Sequence, residues 1–188
     1  KHCDTIAAIV GTPIKNPNIQ GKDLYNAAAF IEDGKVKHYA KKALLPTYDI
    51  FDEYRYFEPC TEFKTVTYKG KKLAITVCED IWNVGNDNPL YTVCPLDEMM
   101  SENPDFIINC SASPFDYSHA ENRINVVRAN VLRYNIPLFY CNQVGAQTDI
   151  IFDGGSIAMN SKGIVCKEMN YFREDFHVFD TEKIEKET

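Results

Sequence analysis

The stretch Lys72-Leu73-Ala74-Ile75-Thr76-Val77-Cys78-Glu79-Asp80-Ile81-Trp82 decides how the rest of the chain is read. Leu73, Ala74, Ile75 and Val77 form a short apolar run with two β-branched members, the composition of a strand covered on both faces. The run breaks abruptly into a thiol, two carboxylates and the only tryptophan. In open α/β folds ligands bind beyond the carboxyl ends of buried strands, so this strand delivers Cys78 to a binding edge with backbone N–H groups beside it. Most cysteines in such folds are small buried hydrophobes. A packing cysteine, however, has no use for two acids directly after it. Those acids raise a thiol pKa unless a cation opposes them, so a cation must be supplied from elsewhere in the chain.

Composition narrows the classes. A chain of 188 residues is expected to form one domain that needs no disulfide framework. Its seven cysteines, Cys3, Cys60, Cys78, Cys94, Cys110, Cys141 and Cys166, are odd in number and show neither C-x-x-C pairs nor zinc spacing. That usage suits a reducing, cytoplasmic setting. A net charge of −7 without a basic stripe argues against a nucleic-acid surface. No apolar run is long enough to span a bilayer, and no signal-peptide pattern opens the sequence.

Taken in order, Lys1 to Asp4 reads as the end of a helix entering a strand over Thr5 to Gly11. Ile14 to Gly21 reads as a loop, and Leu24 to Ile31 as a second strand. The Asp33-Gly34 pair permits the positive φ values of a tight hairpin, so Val36 to Ala43 is expected to return antiparallel. On that return His38, Ala40 and Lys42 share one face and Lys41 takes the other. Leu44 to Phe57, dense in aromatics and charges, reads as a long functional loop with one helical turn. Phe63 to Tyr68 pairs with the Cys78 strand across the Lys69-Gly70-Lys71 turn. Val84 to Pro95 reads as a loop and Leu96 to Ser101 as a short helix end. Asp105 to Cys110 is a further buried strand. Ile124, Val127 and Val131 mark a helix over Ser118 to Tyr134, stopped by Asn135 and Pro137. Strands follow at Pro137 to Asn142, Asp149 to Phe152, Gly154 to Met159 and Ile164 to Lys167. Glu182 to Thr188 reads as a domain edge or linker.

Lys42-Ala43-Leu44-Leu45-Pro46-Thr47-Tyr48, the strand ending Val77-Cys78-Glu79-Asp80-Ile81-Trp82, the segment Asn109 to Pro114 and Asp153-Gly154 together resemble, in that order, the carbon-nitrogen hydrolase (nitrilase) superfamily. The likeness covers nearly the whole chain and is closest to the glutaminase domains of glutamine-dependent NAD synthetases. It implies a four-layer α-β-β-α sandwich and a Glu-Lys-Cys catalytic set, with Cys78 as nucleophile, Lys42 as its cationic neighbour and Glu53 as a second glutamate near the site. Lys42 is then the missing cation that favours thiolate and helps hold a tetrahedral oxyanion. His38, on the face of Lys42, is an alternative base or a packed histidine.

The same resemblance implies substrate contacts at Tyr48 and Ser113, with Glu79, Asp80 and Trp82 walling the pocket. At His119, six residues past Ser113, many relatives carry Lys or Arg, so contact with the substrate carboxylate is expected to be weaker and pH-dependent. The implied reaction is glutamine hydrolysis through a γ-glutamyl thioester. The ammonia would pass to a C-terminal synthetase domain that amidates deamido-NAD with ATP and Mg. No cofactor is expected in this domain, no metal site, and no nucleic-acid or membrane partner; glutamine, the synthetase domain and a homo-oligomer are the implied partners. No stretch resembling the synthetase domain is present. The family's general base is a glutamate upstream of the lysine, whereas the first glutamate here, Glu32, falls in a hairpin turn. These residues are therefore expected to be an N-terminally truncated piece of the domain, inactive by itself. A stand-alone amidase or nitrilase, and an inactive interaction module, remain as alternatives. Glutamine turnover separates the first from the main reading, and selective labelling of Cys78 separates the second.

Overall fold

Strand pairing sorts the chain into two main sheets. The computed structural model describes residues 5–117 and 119–186, with the backbone alone at His119. The expected helix end over Lys1 to Asp4 lies outside the described residues.

The first sheet has three antiparallel strands in the order β1 (Ala8–Lys15), β2 (Leu24–Glu32), β3 (Lys35–Lys41). Asp33 and Gly34 both take positive φ, 51° and 67°, in the β2–β3 turn, as the Asp-Gly pair predicts. β1 continues through Pro13 to Lys15, past the point where proline suggested a loop. β1 pairs with β2 alone, and an edge strand tolerates a residue without an N–H.

The second sheet has six strands in the order β11-β10-β7-β6-β5-β4. They are β4 (Val66–Tyr68), β5 (Lys71–Val77), β6 (Phe106–Ser111), β7 (Leu138–Asn142), β10 (Ile157–Met159) and β11 (Val165–Glu168). β5, β6 and β7 run parallel, with Val77 opposite Cys110 and Cys110 opposite Cys141, so their carboxyl ends form one edge. Leu73 to Val77 are all buried, which accounts for the unbroken apolar run. A two-stranded ladder, β8 (Val144–Gln147) with β9 (Ile150–Asp153), stands apart from both sheets. β8 has no apolar alternation to betray it: Val144, Gly145, Ala146 and Gln147 are mostly exposed.

Two cores set the layers. Ala28, Phe30 and Ala40 of the small sheet pack on Leu73, Ile75 and Val77 of the large one. On the other face of the large sheet, Ala74, Ile107, Leu138 and Met159 pack beneath α1 (Pro95–Met99) and α2 (His119–Tyr134), through Leu96, Met99, Val127 and Val131. The described residues thus build the β-β-α part of the sandwich. Val127 and Val131, at the expected spacing, are completely buried and Ile124 partly so, which fixes α2 against β7 and β10. Ile184, inside the stretch read as a linker, is buried, and Glu185 accepts a hydrogen bond from Ser161 N at 3.1 Å. Among the described residues no helix is long and apolar enough to cross a membrane.

Candidate active site

β5 ends on a reversal. Cys78 takes φ 46°, a left-handed backbone that strongly disfavours a side chain, and the chain turns at once into a 3-10 helix over Cys78–Ile81. Asp80 braces this turn. Its Oδ2 accepts from Val77 N at 3.1 Å and its Oδ1 accepts from Ala43 N and Leu44 N, both at 3.0 Å. One buried carboxylate therefore ties the nucleophile turn to the segment directly after Lys42. Burial pushes Asp80 up to about 6, against the opposing pull of those N–H groups and of Lys42. The sequence reading made Asp80 a pocket wall; its oxygens face backbone instead.

Lys42 lies one residue beyond β3, its N–H bonded to Asn26 O at 2.8 Å and its carbonyl accepting from Cys60 N at 3.0 Å. The alternation predicted for this strand holds. Lys41 leaves by one face, with Nζ 4.4 Å from the centre of the Tyr25 ring, while the Lys42 side chain is completely buried. Its Nζ donates to Glu53 Oε1 at 2.6 Å, and Asn26 Nδ2 donates to Glu53 Oε2 at 3.3 Å. Glu53 opens the single 3-10 turn, Glu53–Arg55, in the long loop where one turn was expected. Burial works to discharge Lys42, but Cys78 in its thiolate form, Glu53 and Asp80 outweigh it and hold the ammonium above its ordinary pKa.

Lys42, Glu53 and Cys78 line one cavity of about 420 Å³, with Ser111, Cys141 and Asn142 from the ends of β6 and β7. Burial pushes the Cys78 thiol up; Lys42 pulls it down, Glu79 and Glu53 push it further up, and Ser111 lowers it. Burial wins. The cation expected from the sequence is in place, but the resting group is a thiol and needs a base. Both Glu53 oxygens already accept hydrogen bonds. The carboxylates described before Lys42, namely Asp23, Glu32 and Asp33, do not line the cavity.

Glu79 is buried beside this cavity, and its Oε1 accepts from Tyr48 OH and from Tyr91 OH, each at 2.8 Å. Tyr91, within the stretch Val84 to Pro95 that was read only as a loop, was missed. Ser113 is held through its backbone: its N–H donates to Asn142 Oδ1 at 2.9 Å and its carbonyl accepts from Asn142 Nδ2 at 3.3 Å. The His119 side chain lies outside the described residues. Trp82 packs against the core under α2 and does not line the Cys78 cavity. His38 likewise stays away from it, near Lys41, Lys64 and Glu102, with burial and those lysines lowering its pKa.

A second buried cluster went unread. Arg123 of α2 pairs with Asp153 and donates to Gly154 O at 3.0 Å, and both charged side chains are about 1% exposed. Asn142 Nδ2 donates to the same Gly154 carbonyl at 2.8 Å, linking this cluster to the cavity. A charged residue on the apolar side of a helix, three and four residues before Val126 and Val127, was the available signal.

Comparison with known proteins fits this geometry. A family model described as carbon-nitrogen hydrolase matches residues 2–180. The glutamine-dependent NAD(+) synthetase of Synechocystis sp. is 40% identical over 176 residues, covering 91% of this chain and 32% of the relative. That of Thermotoga maritima is 35% identical over 159 residues, covering 85% and 26%. The chain thus spans between a quarter and a third of the length of these curated relatives. Among solved structures, glutamine-dependent NAD+ synthetase from Acinetobacter baumannii, in complex with ADP, superposes with a TM-score of 0.79 at 29% identity, over 90% of this chain and 30% of that one. A carbon-nitrogen hydrolase from Helicobacter pylori G27 superposes at 0.76 over 90% of this chain and 60% of that one, and at 21% identity shares the fold.

Proposed function

The chain belongs to the carbon-nitrogen hydrolase family, and from that premise we propose that it is a glutamine amidohydrolase domain working through a thioester on Cys78. The observation that carries this reading is the fully buried Lys42 ammonium, held by Glu53 in the cavity that contains Cys78. Glu53 keeps that ammonium charged in the resting site, so a fixed positive charge already stands in the cavity where acyl transfer to a thiol develops an oxyanion.

The Cys78 sulfur attacks the side-chain amide carbon of glutamine, forming the C–S bond while the carbonyl electron pair moves onto oxygen. Lys42 and the backbone N–H of Glu79 meet that oxyanion. The thiol proton ends on the amide nitrogen, which leaves as ammonia when the C–N bond breaks. Water then adds to the thioester, returning the thiol and releasing glutamate. One glutamine and one water become one glutamate and one ammonia. Glu53 holds Lys42 in position. Glu79, oriented by Tyr48, offers a carboxylate to the substrate ammonium, with Ser113 and His119 assigned to its carboxylate end. Trp82 backs the nucleophile turn from the core. Because the relatives are named glutamine-dependent NAD(+) synthetases, we assign the ammonia to ATP- and Mg-dependent amidation of deamido-NAD on a synthetase domain partnering this one, in a homo-oligomer in the cytoplasm.

The test is covalent labelling with a glutamine-like chloroketone followed by mass mapping. The expected result is a single adduct on Cys78 that glutamine suppresses and simple aliphatic amides do not. Prior labelling of Cys94 or Cys141, or equal protection by simple amides, would overturn the assignment.

A further inference from the structure

Asn109 sits one residue before the cavity-lining Cys110 on β6 and is completely buried. Strand alternation therefore turns it, with its neighbour Thr76 on β5, toward the helix side of the sheet, whereas Val77 and Cys110 face the cavity. From behind, its Nδ2 donates to the Cys78 carbonyl at 3.2 Å and to Thr76 Oγ1 at 3.0 Å. Its Oδ1 accepts from Ser111 Oγ at 2.6 Å, and the Cys78 carbonyl, which can only accept, fixes which way round the amide lies. Every polar atom of this carboxamide is engaged, and its anchor point is the peptide that follows the left-handed Cys78.

In a trans peptide the C=O and the next N–H point in opposite directions. Drawing the Cys78 carbonyl toward the helix side consequently turns the Glu79 N–H toward the cavity side, where an oxyanion forms. We propose that Asn109 is a positioning residue: by holding the Cys78 carbonyl it sets the strained nucleophile turn and aims the Glu79 N–H at the reacting carbonyl. The proposal rests on Cys78 being the nucleophile and not on glutamine being the substrate.

The test separates acylation from alkylation at one sulfur. p-Nitrophenyl acetate acylates a cysteine through an oxyanion, and chloroacetamide alkylates it by displacement without one. In Asn109→Leu, nearly isosteric but unable to donate, the acylation rate of Cys78 should fall ~10²-fold, as for loss of an oxyanion donor, while alkylation changes by less than about 3-fold. Thr76→Val, which removes the other acceptor and leaves the Cys78 bond intact, should leave both rates near wild type. Asn109→Ala, measured alongside with circular dichroism, gives the same split if the larger side chain prevents folding. Equal loss of both rates in the folded Asn109 variants, unchanged acylation, or a Thr76→Val loss as large as that of Asn109→Leu would each overturn the proposal. Acetate carries no glutamine, so these readings stand even if the glutaminase assignment fails.

Discussion

Lys42 Nζ lies 2.6 Å from Glu53 Oε1, joining the end of β3 to a single helical turn eleven residues further on. The pair converts a loop with no periodicity of its own into one wall of the cavity holding Cys78. It also isolates Lys42 from Lys41, whose ammonium rests on the Tyr25 ring on the opposite face.

Substitution of these adjacent lysines should therefore have unequal effects. Lys42→Ala is expected to slow thioester formation by about 2–4 kcal/mol of lost oxyanion stabilisation. Lys41→Ala loses a half-buried cation–π contact with Tyr25, about 0.5–2 kcal/mol of stability and little of the rate. Single-turnover kinetics with glutamine, read beside thermal melts, distinguishes the two. Comparable losses of rate would show that the strand phase does not set the site.

The pH dependence of Cys78 follows from burial. Its pKa is raised above the ordinary cysteine value of 9.0, and thiolate is the reactive form. Alkylation should rise with pH through a midpoint above that value, reactivity being lost as pH falls. Lys42→Met removes the main lowering influence and should move the midpoint further up. A midpoint below 9 in the wild type, or a downward shift in the variant, would contradict the electrostatics described.

Asp80 is expected to matter more for stability than its neighbour Glu79. Asp80→Ala leaves the N–H groups of Ala43, Leu44 and Val77 without their acceptor. At about 1–3 kcal/mol for each unsatisfied buried donor, the loss should be at least ~3 kcal/mol. Denaturant unfolding measures it. A loss under ~1 kcal/mol would mean that the brace between Lys42 and the nucleophile turn is not needed.

Tyr91→Phe and Tyr48→Phe each remove one hydrogen bond to the same oxygen of Glu79. Either substitution should weaken glutamine binding by about 1.5–3 kcal/mol, as for hydrogen bonds to a charged group, with the maximal rate less affected. The measurement is the split between KM and kcat. An unchanged KM in both variants would remove Glu79 from substrate recognition.

The buried Arg123–Asp153 pair invites a double-mutant cycle. Arg123→Met strands a carboxylate in the interior and should cost about 3–5 kcal/mol, whereas Arg123→Met with Asp153→Leu should recover a large part of it. Additive losses in the double variant would show that the two charges do not depend on each other.

Much of this arrangement was legible in the residues themselves. The run Leu73 to Val77 marks a strand buried on both faces because no polar side chain interrupts it at period two apart from Thr76, which Asn109 satisfies. The Asp33-Gly34 turn and the alternation of Lys41 and Lys42 are local consequences of backbone sterics, so they survive even though β3 ends one residue before Lys42. Trp82 was placed near the site because it adjoins a motif in sequence and His38 because it shares a strand face with Lys42, yet the turn after Cys78 and the length of β3 carry them elsewhere.

What the sequence determined by itself was the chemistry at single positions: a thiol at the end of a buried strand, a lysine on an inward face, a tyrosine and glutamates within the same motifs. Periodicity and turn chemistry are short-range, so they can be read one segment at a time. The tertiary structure alone decided the pairings between segments. Asp80 reaching the backbone of Leu44, Tyr91 joining Tyr48 on Glu79, Asn109 holding the Cys78 carbonyl and Arg123 meeting Asp153 rest on hydrogen bonds between residues from 12 to 36 positions apart. Such partners are set by strand order and by the need to satisfy every buried polar group, conditions that exist only once the two sheets and α2 are packed together.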